Sequence, residues 1–211
     1  FKAALFMVVG IVDHETGTRD VRELPILARG WTATRAVAAA SAASMAAIPL
    51  TAGFLAKETA YGALVHGSTG DRLVLAVIVG GSALTVAYSL RFTAALVRPD
   101  LVAAADARTT GDHGPGLGFI LPGIVLATAT MVLGIVPALW SGLIDAAATT
   151  LDPASGAHLE LWHGINAPLV LSMVTLGAGT ALFGARRWVA AGQARLAPKT
   201  TGLEIYEAIV R

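Results

Sequence analysis

The chain contains no cysteine. A disulfide framework, a thiolate metal site and a thiol nucleophile are therefore excluded. Charge is scarce as well: Asp, Glu, Lys and Arg make up 14% of the 211 residues, against about a quarter in an ordinary soluble domain. The net charge of +1 gives no basic surface for nucleic acid, so none is expected as a partner. No Gly-rich phosphate loop, hydrolase triad or catalytic carboxylate pair is present. No enzyme active site and no cofactor are expected. A basic region followed by an apolar stretch and a cleavage site is also missing, so no signal peptide is read.

What is present is apolar and concentrated: 55% of the residues are hydrophobic. No charge occurs in 73–90, in 117–143 or in 161–185. Stretches of this length cross a hydrocarbon core about 30 Å thick. The lipid bilayer is the expected surrounding, and spans are the unit to count. The first span is Phe1–Val12, too short to cross alone and opening on Phe rather than Met, which reads as the cut tail of a helix. The second runs from Ala36 to Val65 and is interrupted by Pro49-Leu50-Thr51-Ala52-Gly53-Phe54. Pro49 removes a helical hydrogen bond and Gly53 adds backbone freedom, so two helical pieces are expected, Ala36–Ile48 and Leu55–Val65. Irregular backbone at membrane depth is tolerated only under cover of protein or a watery cavity. Leu73–Leu96, Leu117–Trp140 and Ile165–Phe183 supply three further spans, with Ser141–Gly164 as a loop between the last two.

The expected fold is an all-α, polytopic transmembrane helix bundle with one discontinuous helix. Residues 1–190 form its membrane domain of about five spans, and 191–211 a cytoplasmic-side linker and the start of a further helix. Loop charge agrees. Arg19, Arg22, Arg29 and Arg35 fall in one loop, Arg91, Arg98 and Arg108 in the next but one, and Arg186, Arg187, Arg195, Lys199 and Arg211 in the third of the alternating set. The opposite loops carry only Arg72. The positive-inside rule makes the former set cytoplasmic.

Lys2 and Lys57 are the basic residues left inside apolar runs, and Glu58 is their acidic companion. Ionisable groups at membrane depth mark ion or proton paths, because an idle one is costly there. Lys2 lies about 15 Å from the cytoplasmic end of its span and Lys57 about 13 Å from the opposite end of the second. Two lysines at similar depth on successive spans are placed to face one another. A lysine kept out of water exchanges its proton, whereas an arginine holds it. Glu58 points about 100° away from Lys57 on a helix and is expected to meet another helix. Against this stands snorkelling, by which either lysine reaches the interface with no transport role. Thr85, Tyr88 and Ser89 form a possible polar path in the third span, with plain helix packing as the competing reading. His14, His66, His113, His158 and His163 lie in loops or at span ends, with no i, i+4 metal spacing. Asn166 is placed as a helix N-cap.

Several stretches resemble one family. Phe1-Lys2-Ala3-Ala4-Leu5-Phe6, the block from Gly10 through Asp13-His14-Glu15-Thr16-Gly17-Thr18-Arg19-Asp20, and Pro49…Gly53-Phe54-Leu55-Ala56-Lys57-Glu58 are similar to the large A-type component of Mrp-type (multiple resistance and pH) sodium/proton antiporters. So are Leu161-Trp162-His163-Gly164-Ile165-Asn166, Pro168 and Leu171-Ser172. The wider superfamily includes the antiporter-like proton-pumping subunits of respiratory complex I. The resemblance implies a secondary transporter of the bacterial inner membrane that exchanges Na+ for protons within a complex of several membrane subunits. It implies that Lys2 belongs to a central hydrophilic axis, that Lys57 is a terminal proton-exchange residue on a broken helix, and that Glu58 is the acid beside it. Leu50 stands where the family often has a second proline, and Ile165 where it has phenylalanine. A pumping subunit of a complex I-like or hydrogenase machine, and a scaffold bundle without transport, are the alternatives.

Overall fold

A computed structural model describes residues 1–21, 23–97, 109–110, 113–151 and 164–196. Eight α-helices run through the described residues: α1 (Lys2–Thr16), α2 (Thr32–Met45), α3 (Ala52–Val65), α4 (Thr69–Val97), α5 (Leu117–Ile135), α6 (Ala138–Leu151), α7 (Ala167–Gly184) and α8 (Arg186–Leu196). A single 3-10 turn, Arg29–Trp31, leads into α2. Among the described residues there is no strand, only an isolated bridge between Ile26 and Thr109. The all-α architecture expected from the sequence is the one observed.

The helices α4, α5 and α7 are long and apolar enough to cross a membrane. Their apolar side chains point outward: Leu73, Val77, Leu84, Leu121, Val125 and Val174 are each at least half exposed. Such a surface is stable against lipid tails rather than water. Inside, the helices meet on small residues, among them Ala4, Ala38, Ala42, Ser82 and Ala83. Association in lipid rests on close backbone approach through such residues. The most extensive contact, between α4 and α7, shows why: a Cβ at Gly179 would overlap Val86 and the Ala83 carbonyl.

Local signals set the helix ends. The first helix continues past Val12 to Thr16 and closes on Gly17, whose φ of 73° and N–H to the Asp13 carbonyl (2.8 Å) form a left-handed cap. Ser68 and Asp71 cap the start of α4 reciprocally: Ser68 N–H donates to Asp71 Oδ2 (2.7 Å) and Asp71 N–H to Ser68 Oγ (3.3 Å). Asn166 caps α7 as expected, accepting from Leu169 N–H at 2.9 Å.

Two expectations about boundaries are corrected. The fourth span ends at Ile135, not Trp140, and α6 takes in the last residues of that expected span and residues 141–151 of the expected loop. Pro137 is the reason: lacking an N–H, it cannot continue α5, yet its fixed φ suits the first position of a new helix, and Ser141 N–H donates to its carbonyl at 3.1 Å. No side chain of α6 is buried. After α7, α8 runs across position 190.

The loops read as lying on one side by charge do meet. Thr110 N–H donates to the Ile26 carbonyl and Ala28 N–H to Thr110 Oγ1, both at 2.9 Å. Gly114 packs on Gly30 so closely that a Cβ would overlap the Gly30 carbonyl. Arg35 Nη2 ties this end together by donating to the carbonyls of Leu27 and Ala28. Arg22, Arg98, Arg108, His158, Trp162, His163 and the expected helix start at 199–211 lie outside the described residues.

Candidate functional site

The discontinuity between α2 and α3 is built by backbone geometry. Ala47 N–H donates to the Ser44 carbonyl (3.0 Å) and Ile48 N–H to the Ala43 carbonyl (2.9 Å), a Schellman closure of α2. Its left-handed position is Ala47, with φ 58°, where glycine is usual; Leu50 is also left-handed, with φ 70°. Pro49 follows the closure and blocks continuation. A proline at position 50 would not adopt that φ, so Leu50 suits this version of the break. The chain then turns at Thr51, whose hydroxyl accepts from Phe54 N–H (3.3 Å) and donates to the Ile48 carbonyl (2.7 Å).

Gly53 has a role different from the expected backbone freedom, since it is not among the positive-φ residues. Its N–H donates to Ser44 Oγ at 3.1 Å, and a Cβ there would overlap the Ser44 carbonyl oxygen. Gly53 is required because α2 and α3 approach backbone to backbone. Gly134 at the end of α5 does the same on the other side, against Thr51 and Ala52. Tight packing therefore holds Thr51 and the start of α3 inside the protein, while Ile48, Pro49 and Leu50 are exposed.

Lys57 and Glu58 follow on the second turn of α3. Lys57 Nζ is buried and has no hydrogen-bond partner among the described residues. Glu58 meets another helix, as expected: Ser172 Oγ on α7 donates to its Oε1 at 2.6 Å. Ser172 is itself buried, and its carbonyl accepts from Thr175 Oγ1 at 2.8 Å. Tyr61, one turn beyond Lys57, is fully buried, and its hydroxyl also lacks a partner among the described residues. Sequence reasoning missed Tyr61. The signal was available in the i, i+4 spacing from Lys57, which places both on one face.

Lys2 sits elsewhere. It is exposed and lines a groove of about 360 Å³ with Leu5, Phe6, Val9, Met45, Tyr88 and Phe92. The expected meeting with Lys57 does not occur: α1 packs on α2 and α5, whereas α3 packs on α4, α5, α7 and the end of α2. Equal depth does not imply a shared face. The polar path expected in the third span divides. Thr85 and Ser89 hydroxyls donate to carbonyls of their own helix, Gly81 at 2.9 Å and Thr85 at 2.7 Å. Tyr88 joins the Lys2 groove and donates to Met45 Sδ at 3.4 Å.

No family model matches the chain. Over 193 residues it is 37% identical to a Rhizobium meliloti (strain 1021) protein named as the A/B component of a probable K(+)/H(+) antiporter, covering 87% of this chain and 19% of that protein. Over 194 residues it is 35% identical to the "Putative antiporter subunit mnhA2" of Staphylococcus saprophyticus, covering 85% of this chain and 24% of that protein. A chain in the structure of the Mrp complex from Dietzia sp. DQ12-45-1b superposes with a TM-score of 0.77 at 32% identity, over 100% of this chain and 22% of that one. This chain belongs with the Mrp-type antiporter subunits. It spans only 19% to 24% of the length of the relatives it matches. As an Mrp-type chain it is a multi-pass protein of the bacterial cell membrane, and its helix bundle is the fold of that membrane protein.

Proposed function

We propose that this chain forms a proton-exchanging part of a monovalent cation/proton antiporter subunit, with Lys57 as the residue that takes up and releases the proton. The observation that carries the reading is the buried Lys57 amine, without a partner among the described residues, on the second turn of the helix that follows the break. An amine held out of bulk water exchanges its proton where a guanidinium does not. Glu58, held by Ser172, is the adjoining acid, and Lys2 with Tyr88 belongs to a second polar position on the open groove. The antiporter names of the relatives support the reaction class, and their naming as subunits supports a hetero-oligomeric complex of membrane proteins as the working unit. On the cation, the resemblance points to Na+, while the Rhizobium protein is named for K+.

The test uses inverted vesicles carrying the full-length subunit in its complex. A pH gradient is imposed, Na+ or K+ is added, and proton movement is followed with Lys57 intact or changed to Ala or Arg. Loss of cation-triggered proton movement in both variants, with normal assembly, is expected. Full activity in Lys57→Arg would return Lys57 to a snorkelling, structural role.

A further inference from the structure

Hydroxyls within a helix usually turn back on their own backbone. Thr59, Thr85, Ser89, Thr93 and Thr180 each donate to the carbonyl four residues earlier, at 2.7 to 2.9 Å. Ser172 has the same option at the Pro168 carbonyl and does not take it. Its hydroxyl crosses to α3 and donates to Glu58 Oε1 at 2.6 Å. That is the short range of a hydroxyl donating to a carboxylate, among the stronger bonds a side chain makes. Ser172 is 1% exposed, so bulk water does not compete for its hydroxyl.

The helix that carries Ser172 is held on both sides of it. The buried residues of α7 are Pro168, Ser172, Thr175 and Gly179, one stripe at helical spacing. Gly179 is pressed against Val86 and the Ala83 carbonyl of α4, and Pro168 lies beside Gly62 of α3. Ser172 sits between these two close approaches, so its hydroxyl has a set position. Glu58 is a long side chain that would otherwise sample several rotamers. The elements packed on α3 bring few other ionisable groups. Neither α5 nor α7 has a titratable side chain. In α2 there is Arg35, committed to the carbonyls of Leu27 and Ala28. In α4 there are Asp71, bonded to Ser68, Tyr88, bonded to Met45, and Arg72 and Arg91 near the two ends. On α3 itself there are Lys57, Glu58 and Tyr61.

We infer that Ser172 is a positioning residue of the proton exchange that acts through Glu58, fixing its carboxylate against α7. The inference rests on the proton-exchange reading of Lys57. Lys57 and Glu58 are consecutive, so they leave α3 about 100° apart. With Oε1 committed to Ser172, the carboxylate stays at α7 while the Lys57 amine remains without a partner among the described residues. Removing the bond frees the carboxylate to wander, and proton transfer is sensitive to displacements of about 1 Å.

The experiment compares Ser172→Ala, Ser172→Thr, Glu58→Gln and Lys57→Ala in the full-length complex, with cation-triggered proton flux measured across a pH series. Ser172→Ala is expected to lower the flux about tenfold and to displace its pH profile. Ser172→Thr, which keeps the hydroxyl, is expected to recover most of the rate and the original profile. Glu58→Gln keeps an oxygen that accepts from Ser172 and removes the charge; it is expected to lower the flux at least as far as Ser172→Ala. A lower rate in Ser172→Ala with the profile in place marks a purely structural serine and overturns the inference, as does an unchanged rate. Full flux in Glu58→Gln overturns it even if Ser172→Ala fails to assemble. Each of these results leaves Lys57 standing if Lys57→Ala loses its flux. Unchanged flux in Lys57→Ala overturns the proton-exchange reading and the inference with it.

Discussion

Lys57 and Lys2 have the same side chain, similar depth by residue count and opposite surroundings. The Lys57 amine is buried within its own chain, on the second turn of a helix whose start packs tightly through Gly53 and against Gly134. Lys2 lies open on a largely apolar groove with Tyr88. Depth along a span is a property of sequence, whereas enclosure is a property of packing. The difference separates a lysine whose protonation the described fold constrains from one whose environment is completed outside these residues.

Function offers the most forceful way to break that comparison. Lys57→Ala should lower cation-triggered proton movement by about 10²-fold or more, the range of a positioned proton-transfer group. Lys2→Ala should lower it by less, about tenfold, since the described fold does not enclose its side chain. Equal losses in vesicle flux assays would erase the distinction between the two sites.

Backbone packing is next. Gly53→Ala forces α2 and α3 apart and should cost about 3 kcal/mol, read as a lower unfolding midpoint of the purified complex. Gly10→Ala on α1 is the matched control in the Lys2 region, because nothing lies within 4 Å of its added Cβ. That change should be neutral or stabilising by up to about 1 kcal/mol through helix propensity.

The Glu58–Ser172 bond gives a smaller contrast. Ser172→Ala strips a buried donor from a carboxylate and should cost about 1–3 kcal/mol. Ser89→Ala, whose hydroxyl only returns to its own helix, should change stability by less than about 0.5 kcal/mol. The smallest effect is a gain. Ala47→Gly relieves a left-handed alanine at the Schellman closure and should raise stability by about 1 kcal/mol, with proton flux unchanged.

The broken second span was legible because Pro49 and Gly53 interrupt an apolar run too long for one straight helix, and α2 ends before Pro49 while α3 begins at Ala52, next to Gly53. Loop sidedness was legible from arginine placement, and the meeting of Ile26 with Thr109 and Thr110 fits it. α6 was not legible, because Asp145 and Gly142 look like loop residues when no bundle face is required of the helix. Tyr61 escaped notice for another reason, and Ser172 was read only within the resemblance. Neither is charged, and a polar residue in an apolar helix signals function only once its neighbours are known.

Composition and order alone determined that the chain crosses a membrane, where its second span breaks and which ionisable groups sit at depth. Charge and proline carry costs in hydrocarbon that no packing removes, so their positions are readable without a fold. Only the tertiary structure decided which faces those groups present. It buried the Lys57 amine, joined Glu58 to α7, and placed Lys2 in a groove with Tyr88. Helix rotation and partner choice depend on small-residue contacts such as Gly53 with Ser44 and Gly179 with Val86, formed between segments far apart or separated by a break. A periodic pattern within one helix does not encode them.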